Sequence, residues 1–337
     1  DTDGKAALQY STTEGYLPLR KIISERMRYS GIEIPADDIL ITSGSQQGLE
    51  FSGKVFLDEG DTVICESPSY LGALNAFKSY LPRFVEVEMD NEGMKMDELE
   101  TALEANPNAK FIYTIPDFQN PSGITMSFER RKRLVELSVK YNVPIVEDNP
   151  YGDLRFEGER IPAVKHFDTA GMVIYLGTFS KTFSPGLRVG WVAASPEIVR
   201  KYVLVKQGAD LQCNSMAQRE TAAFVQMFDI DKHINKIIEV YGRRRTLMIE
   251  TMEKEFPKNV KFTYPSGGLF TWVELPEGVD AAAVLKKALE EKVAFVPGGS
   301  FYPNGGNENH FRLNYSCMPE DKIVEGITRL GKVLKTL

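Results

Sequence analysis

From residue 38 to residue 193 the chain repeats one unit: a short apolar run, a turn, then a helical pattern. Residues 38–42 (DILIT), 62–65, 83–89, 110–115, 144–147, 172–176 and 189–193 read as strands. A helical run to Leu57 follows Ser43-Gly44-Ser45, and residues 96–105 and 127–141 are also helical. The last of these has a capping-box-like start, Ser127…Arg130, without the acidic partner. Antiparallel strands can be joined by tight hairpins, whereas parallel strands need a crossover, usually a helix. The alternation therefore predicts an α/β fold: a mostly parallel (mixed) seven-stranded-type sheet sandwiched by helices.

The rhythm changes after about Phe228. Residues 231–256 read as one long helix with Ile234, Ile237, Ile238 and Tyr241 on one face. Antiparallel strands are expected over 261–275 around Pro265-Ser266-Gly267-Gly268. A helix over 281–291, strands near 293–296 and 310–315, and a final helix from Glu320 follow. This predicts a smaller α+β domain. The expected division is an N-terminal segment 1–14, a large domain 15–230 and a small C-terminal domain 231–337, in keeping with a length of 337 residues. The opening Asp1-Thr2-Asp3-Gly4 has no initiator methionine and reads as an internal beginning.

Composition excludes several classes. Net charge is −7 with both signs interspersed, so no basic stripe suggests nucleic acid. Arg243, Arg244 and Arg245 form the densest basic cluster, read as a solvated or interface face of a helix. No apolar run reaches the roughly 18 residues of a membrane span. Cys65, Cys213 and Cys317 are far apart, as are His166, His233 and His310, so no metal site is expected. A reduced, cytoplasmic setting is expected.

The segment 177–191, GTFSKTFSPGLRVGW, concentrates chemistry. It holds one primary amine, Lys181, between the hydroxyls of Thr178 and Ser180 and the guanidinium of Arg188, with a Pro185-Gly186 turn between. An amine can condense with an aldehyde; hydroxyls and a guanidinium can hold a phosphate dianion. Together they suit pyridoxal 5'-phosphate. Other candidates lie at the carboxyl ends of strands, where open parallel sheets bind ligands. Ser45 and Gln46 open a helix, whose N–H groups favour phosphate, though Ser45 also suits an ordinary N-cap. Asp148 ends a strand, where a carboxylate could keep a pyridine nitrogen protonated, or simply cap a turn. Tyr70 and Asn120 could stack on a ring and bond its oxygen, or be a packed aromatic and a turn residue.

Together these pieces resemble fold type I pyridoxal-phosphate enzymes, the aminotransferase class I/II family, over nearly the whole chain. LQYSTTEG, TSGSQQGL, ESPSY, DFQNPSG and EDNPYG are most similar to the 2-aminoadipate, kynurenine and aromatic aminotransferases. The resemblance implies that Lys181 binds the cofactor covalently and that Ser45, Gln46, Thr178, Ser180 and Arg188 hold its phosphate. It implies Tyr70 as the stacking aromatic, Asn120 and Tyr151 as partners of the ring hydroxyl, and Asp148 as the pyridinium carboxylate. Arg312, in HFRLNYS, would grip the substrate α-carboxylate with help from Asn120. Tyr10 would be donated across a homodimer interface to the neighbour's phosphate, making the active sites shared.

The implied activity is transfer of an amino group from an L-amino acid, aromatic or 2-aminoadipate-like, to a 2-oxo acid such as 2-oxoglutarate. Two other functions use the same groups: the ligand-sensing domain of a DNA-binding transcription regulator, and a carbon–sulfur lyase. The family usually has a longer N-terminal segment with a helix that closes over the substrate, and no marker of a second carboxylate-binding arginine is found. Tyr16, Leu17, Phe118 and Phe270 are expected either to line an apolar side-chain pocket or to pack in the core.

Overall fold

In the computed structural model, which describes residues 4–337, the alternating segments form an eight-stranded mixed sheet. Residues 1–3 of the expected 1–14 segment lie outside the described residues. The strands are β1 (Ile39–Ser43), β2 (Thr62–Ser67), β3 (Arg83–Asp90), β4 (Gly93–Met94), β5 (Ala109–Thr114), β6 (Ile145–Asp148), β7 (Val173–Thr178) and β8 (Val189–Ala193). Their order is β1-β8-β7-β6-β5-β2-β3-β4. From β7 to β3 all pairings are parallel, while β8 runs antiparallel to both its neighbours. Seven strands are those read from the sequence. The eighth, β4, is a two-residue edge strand paired with the end of β3.

Alternating side chains explain why both faces are covered. Phe111 and Tyr113 of β5, Val146 of β6 and Ile174 and Leu176 of β7 pack on one face with Leu49, Phe51 and Phe77. Ile112, Ile145 and Val173 point the other way, onto Leu99, Leu134 and Leu137 of helices Met96–Ala105 and Phe128–Tyr141. Fully burying each of these large apolar side chains contributes about 1.5–3 kcal/mol.

Strand order reverses between β2 and β5. From β2 the chain moves outward to β3; from β5 it moves the opposite way to β6 and β7. Such a switch point leaves a crevice at the carboxyl ends of the strands. The segments after β1, β2, β5, β6 and β7 all emerge at that edge, and antiparallel β8 begins there.

Helix Ile230–Glu255 joins two cores. Ile230 and Ile234 pack with Leu19, Ile23 and Ile41, whereas Met248, Ile249 and Met252 pack with Val273, Phe311 and Leu330. The second core lies under a four-stranded antiparallel sheet of β9 (Lys261–Phe262), β10 (Phe270–Glu274), β11 (Val296–Pro297) and β12 (His310–Asn314), ordered β11-β12-β10-β9. Helices Ala281–Glu290 and Glu320–Leu334 complete this part.

Two expectations need correction. The strand expected over 293–296 begins only at Val296. Lys292 adopts φ 58°, and Val293 N–H closes on Ala288 O while Lys292 N–H closes on Leu289 O. This Schellman-type ending keeps residues 292 and 293 with the preceding helix. The arginine cluster, too, is only partly a solvated face: Arg243 is exposed, but the other two turn into the protein. Arg245 is buried, donating to Pro265 O (2.9 Å) and to the Glu157 carboxylate, and Arg244 donates to Ser316 O (2.5 Å). Among the described residues, no helix is long and apolar enough to cross a membrane.

Candidate active site

At the end of β7 the chain passes through Thr178 and Ser180 to Lys181, then through the turn Pro185–Leu187 to Arg188. Arg188 sits at φ 54°, which sends its guanidinium back over the start of helix Ser45–Phe56. There it donates to Ser180 Oγ (3.3 Å), Pro185 O (3.3 Å) and Ser43 O (3.2 Å). Only glycine fits beneath it: at Gly44 (φ 71°) an added Cβ would lie 2.3 Å from Arg188 Nη2. Gly190 of β8 is equally constrained, since a Cβ there would reach within 2.6 Å of Ser45 N. The N-cap of this helix is Gly44, so Ser45 is not the ordinary cap considered from sequence. Thr178 Oγ1 lies 2.9 Å from Ser180 Oγ and accepts from Ser180 N–H (3.1 Å). Two hydroxyls, a guanidinium and the unpaired N–H groups of a helix's first turn thus converge, which suits a phosphate dianion.

Asp148, the last residue of β6, is 2% exposed. Its Oδ2 accepts from the Tyr113 hydroxyl (3.2 Å); its Oδ1 is buried without a partner among the described residues. Burial pushes the carboxyl up to about 7, against the pull of the Tyr113 hydrogen bond and the Lys181 charge. Burial likewise lowers the Lys181 amine, helped by the positive charges of Arg188 and Arg312 and opposed by Asp148. A lowered amine is more often neutral, hence nucleophilic.

The third wall comes from the switch point and the small sheet. Tyr70, after β2, reaches towards Gln46 Oε1 (3.5 Å), and Gln46 Nε2 donates to Gly72 O (2.7 Å). Asn120, after β5, donates to the Tyr151 hydroxyl (3.2 Å) and accepts from Arg312 (2.7 Å). Arg312, on β12, stacks its guanidinium 4.1 Å over the Phe270 ring, and its Nε is buried without a partner among the described residues.

One cavity of about 410 Å³ is bordered by Ser45, Gln46, Tyr70, Asn120, Asp148 and Tyr151 on one side and by Thr178, Ser180, Lys181, Arg188 and Arg312 on the other. Tyr10 does not border it and is 81% exposed. Of the residues suggested for an apolar side-chain pocket, only Phe270 lines the cavity. Phe118 is in the core beneath Arg155, Tyr16 lies under Arg219, and Leu17 is partly exposed. A larger cavity, about 700 Å³, lies beside Met248, Phe295, Ile323 and Ile327; of the chemical groups above, only Arg312 touches it. The smaller cavity is where the chemistry converges.

These residues fit pyridoxal 5'-phosphate. The anion cradle beneath Arg188, the partnerless Asp148 oxygen and the Lys181 amine answer to its phosphate, ring nitrogen and aldehyde. The family model for aminotransferases of class I and II matches residues 1–330. The chain belongs to that family. This aminotransferase is 48% identical over 334 residues to aromatic-amino-acid aminotransferase 1 of Thermococcus litoralis, covering 98% of this chain and 80% of the relative. It is 43% identical to the 2-aminoadipate transaminase of Thermus thermophilus, covering 99% and 83%. Its structure matches that of Pyrococcus horikoshii kynurenine aminotransferase with a TM-score of 0.95 at 44% identity, covering 99% and 83%. An uncharacterized HTH-type transcriptional regulator of Bacillus subtilis is more distant, 31% identical, covering 98% and 68%. The chain is accordingly an amino-acid aminotransferase, and pyridoxal 5'-phosphate is its cofactor.

Buried residues not singled out from sequence brace this aminotransferase site. Glu66 accepts from Thr114 Oγ1 (2.5 Å), Ile115 N–H (3.2 Å) and Gln119 Nε2 (3.0 Å), and Gln119 also donates to Pro68 O (2.8 Å). This ties the segment carrying Tyr70 to the one carrying Asn120. Asp117 accepts from Arg131 (2.7 and 3.1 Å) and from Asn149 (2.9 Å), the neighbour of Asp148. Glu66, Asp117 and Asn149 lie inside the segments ESPSY, DFQNPSG and EDNPYG, but nothing in those segments signals their bracing role.

Proposed function

We propose that this aminotransferase moves the amino group of an L-amino acid with an aromatic or 2-aminoadipate-like side chain to a 2-oxo acid such as 2-oxoglutarate. In this reading residues 15–230 form the cofactor-binding domain and 231–337 the small domain. The protein works in the cytoplasm as a homodimer, Tyr10 of each subunit completing the other's phosphate site. The observation that carries the reading is the meeting of Lys181, Asp148, Arg188 and Arg312 around one cavity. The named activities of the two relatives at 48% and 43% identity support the donor class.

Thr178, Ser180, Arg188 and the first turn of helix Ser45–Phe56 would hold the phosphate, Tyr70 would cover the ring, and Asn120 and Tyr151 would hold the ring oxygen. Pyridoxal 5'-phosphate, attached through its aldehyde and protonated at its ring nitrogen, supplies an electron sink that weakens a bond at the substrate Cα. Asp148 keeps that nitrogen protonated. Arg312 pairs with the α-carboxylate, its guanidinium already levelled by Phe270 and Asn120. Fixing the carboxylate would orient the Cα–H bond for Lys181, and positioning of this kind is worth about 7 kcal/mol or more. Lys181 Nζ, when free, would take the Cα proton as general base and give it up again as general acid. The first 2-oxo acid then leaves before the second binds.

A panel of aromatic, acidic and branched amino acids with 2-oxoglutarate, followed by glutamate formation, tests the reading. Parallel initial-rate lines with aromatic or 2-aminoadipate donors are expected. Ammonia and pyruvate in place of a transferred amino group would make the protein a lyase, and no turnover with any donor would favour a ligand sensor.

A further inference from the structure

Asp148 is asked to be an anion in a place that disfavours one. It is 2% exposed at the end of a fully buried strand, and desolvation is the largest influence on it. The only hydrogen bond its carboxylate receives among the described residues comes from Tyr113 Oη, 3.2 Å from Oδ2. Its other listener, Lys181, is the amine that the cofactor consumes. Tyr113 is a fixed donor. It stands on β5 beside β6, 0% exposed, with its ring held edge-on by Phe77 at 5.5 Å. Burial holds the phenol far from ionisation, so it keeps the proton that it donates to the carboxylate.

The pairing is also directional. A carboxylate whose Oδ2 is held by a rigid phenol presents Oδ1 in one orientation, and Oδ1 is the atom left buried and partnerless. The packing against Phe77 and the surrounding core is made by the ring, which phenylalanine would keep. The hydroxyl therefore has no packing purpose here.

Resting on the cofactor reading above, we propose that Tyr113 is a positioning residue that holds Asp148 ionised and turned, so that the proton shared between Asp148 Oδ1 and the cofactor ring nitrogen stays on the nitrogen. Without the phenol the carboxylate gains proton affinity, because a hydrogen bond to its charged form is lost. The shared proton then moves towards Oδ1, and the ring becomes a poorer electron sink.

The test uses the full chain loaded with pyridoxal 5'-phosphate labelled with ¹⁵N in the ring, comparing wild type, Tyr113→Phe, Asp148→Asn and the double variant. Tyr113→Phe keeps the ring and loses only the hydroxyl; the melting temperature of the cofactor-free protein checks that it folds. In wild type the ring nitrogen resonance is expected at the protonated position. In Tyr113→Phe it is expected to move towards the unprotonated one, with cofactor affinity weakened roughly tenfold, the scale of one hydrogen bond to a charge. In the Asp148→Asn background the second substitution should change neither quantity. An unmoved resonance in Tyr113→Phe, or an equal effect of Tyr113→Phe with and without Asp148, overturns the inference while leaving the cofactor site intact. Failure of the wild type to bind the cofactor overturns both.

Discussion

Arg312 donates to Asn120 Oδ1 across 2.7 Å, although 192 positions separate the two in the chain. One stands on the small sheet and the other at the switch point of the large one. The bond fixes one side of the guanidinium and leaves the buried Nε without a partner. Arg312→Lys removes the planar fork and is expected to lower kcat/KM for the amino donor by about two orders of magnitude. Cofactor affinity should barely change. Steady-state kinetics beside a cofactor titration check this; equal losses in both would mean that Arg312 serves the cofactor.

Lys181 is lowered by burial first and then by the charges of Arg188 and Arg312. The amine is neutral above its pKa, so capture of an aldehyde should rise with pH and level off below the range of an ordinary lysine. Pyridoxal lacking the phosphate isolates this effect from phosphate binding. With Arg188→Gln one lowering charge is gone, and the whole profile should move to higher pH. Absorbance of the captured aldehyde across pH gives the curve, and a profile unmoved by Arg188→Gln contradicts the electrostatic account.

What was legible in the sequence was local. Lys181, Thr178, Ser180, Arg188, Asp148 and Tyr70 could be read because each lies at a strand end, where turn residues and reactive groups sit side by side. The parallel sheet was readable because buried strands and crossover helices have different periods. Contacts between distant segments were not. Nothing near Asp148 names Tyr113, and while the resemblance set Arg312 and Asn120 on the same carboxylate, nothing in the sequence showed their direct bond or the Phe270 platform. Successive residues on a helix point about 100° apart, so three adjacent arginines cannot share one face; only packing shows that Arg245 is the buried one. Helix Pro196–Ala209 escaped notice despite Ser195-Pro196-Glu197, a sequence suited to an N-terminus.

Glu66 makes stability depend on pH. Burial raises its carboxyl from 4.5 in the unfolded chain to about 7. A raised carboxyl binds more protons folded than unfolded, so the stability it confers is full below pH 4.5 and is lost as pH rises through 7. Glu147 and Asp148, also raised to about 7, share the trend. Glu66→Gln stays neutral, and the Thr114 hydroxyl can turn to accept from the new amide. Relative to wild type, the variant should gain up to about 3 kcal/mol between pH 5 and pH 8. Denaturant unfolding of the cofactor-free protein at both values measures the gain, and a difference independent of pH would contradict it.

Arg131 is 0% exposed and pairs two-pronged with Asp117, while donating to Met126 O (3.0 Å), Pro162 O (3.0 Å) and Pro116 O (3.0 Å). Arg131→Met would leave Asp117 with only the longer pair to Arg155 (3.5 Å) and the Asn149 amide, and would free three carbonyls. A loss of about 3–5 kcal/mol is expected. Because Asp117 also holds Asn149, cofactor affinity should fall with stability. Thermal unfolding with and without cofactor separates the two losses; a change below 1 kcal/mol in denaturant unfolding, on the scale of an exposed pair, would mean that the pair is not the brace described.

The central claim is that the nitrogen at position 181 carries the cofactor. Borohydride reduction of the loaded protein, proteolysis and mass spectrometry locate the attachment directly. The account predicts a single phosphopyridoxyl group on the peptide containing Lys181, absent from Lys181→Ala. The same group on another lysine, or no stable attachment in protein that binds the cofactor, would contradict it.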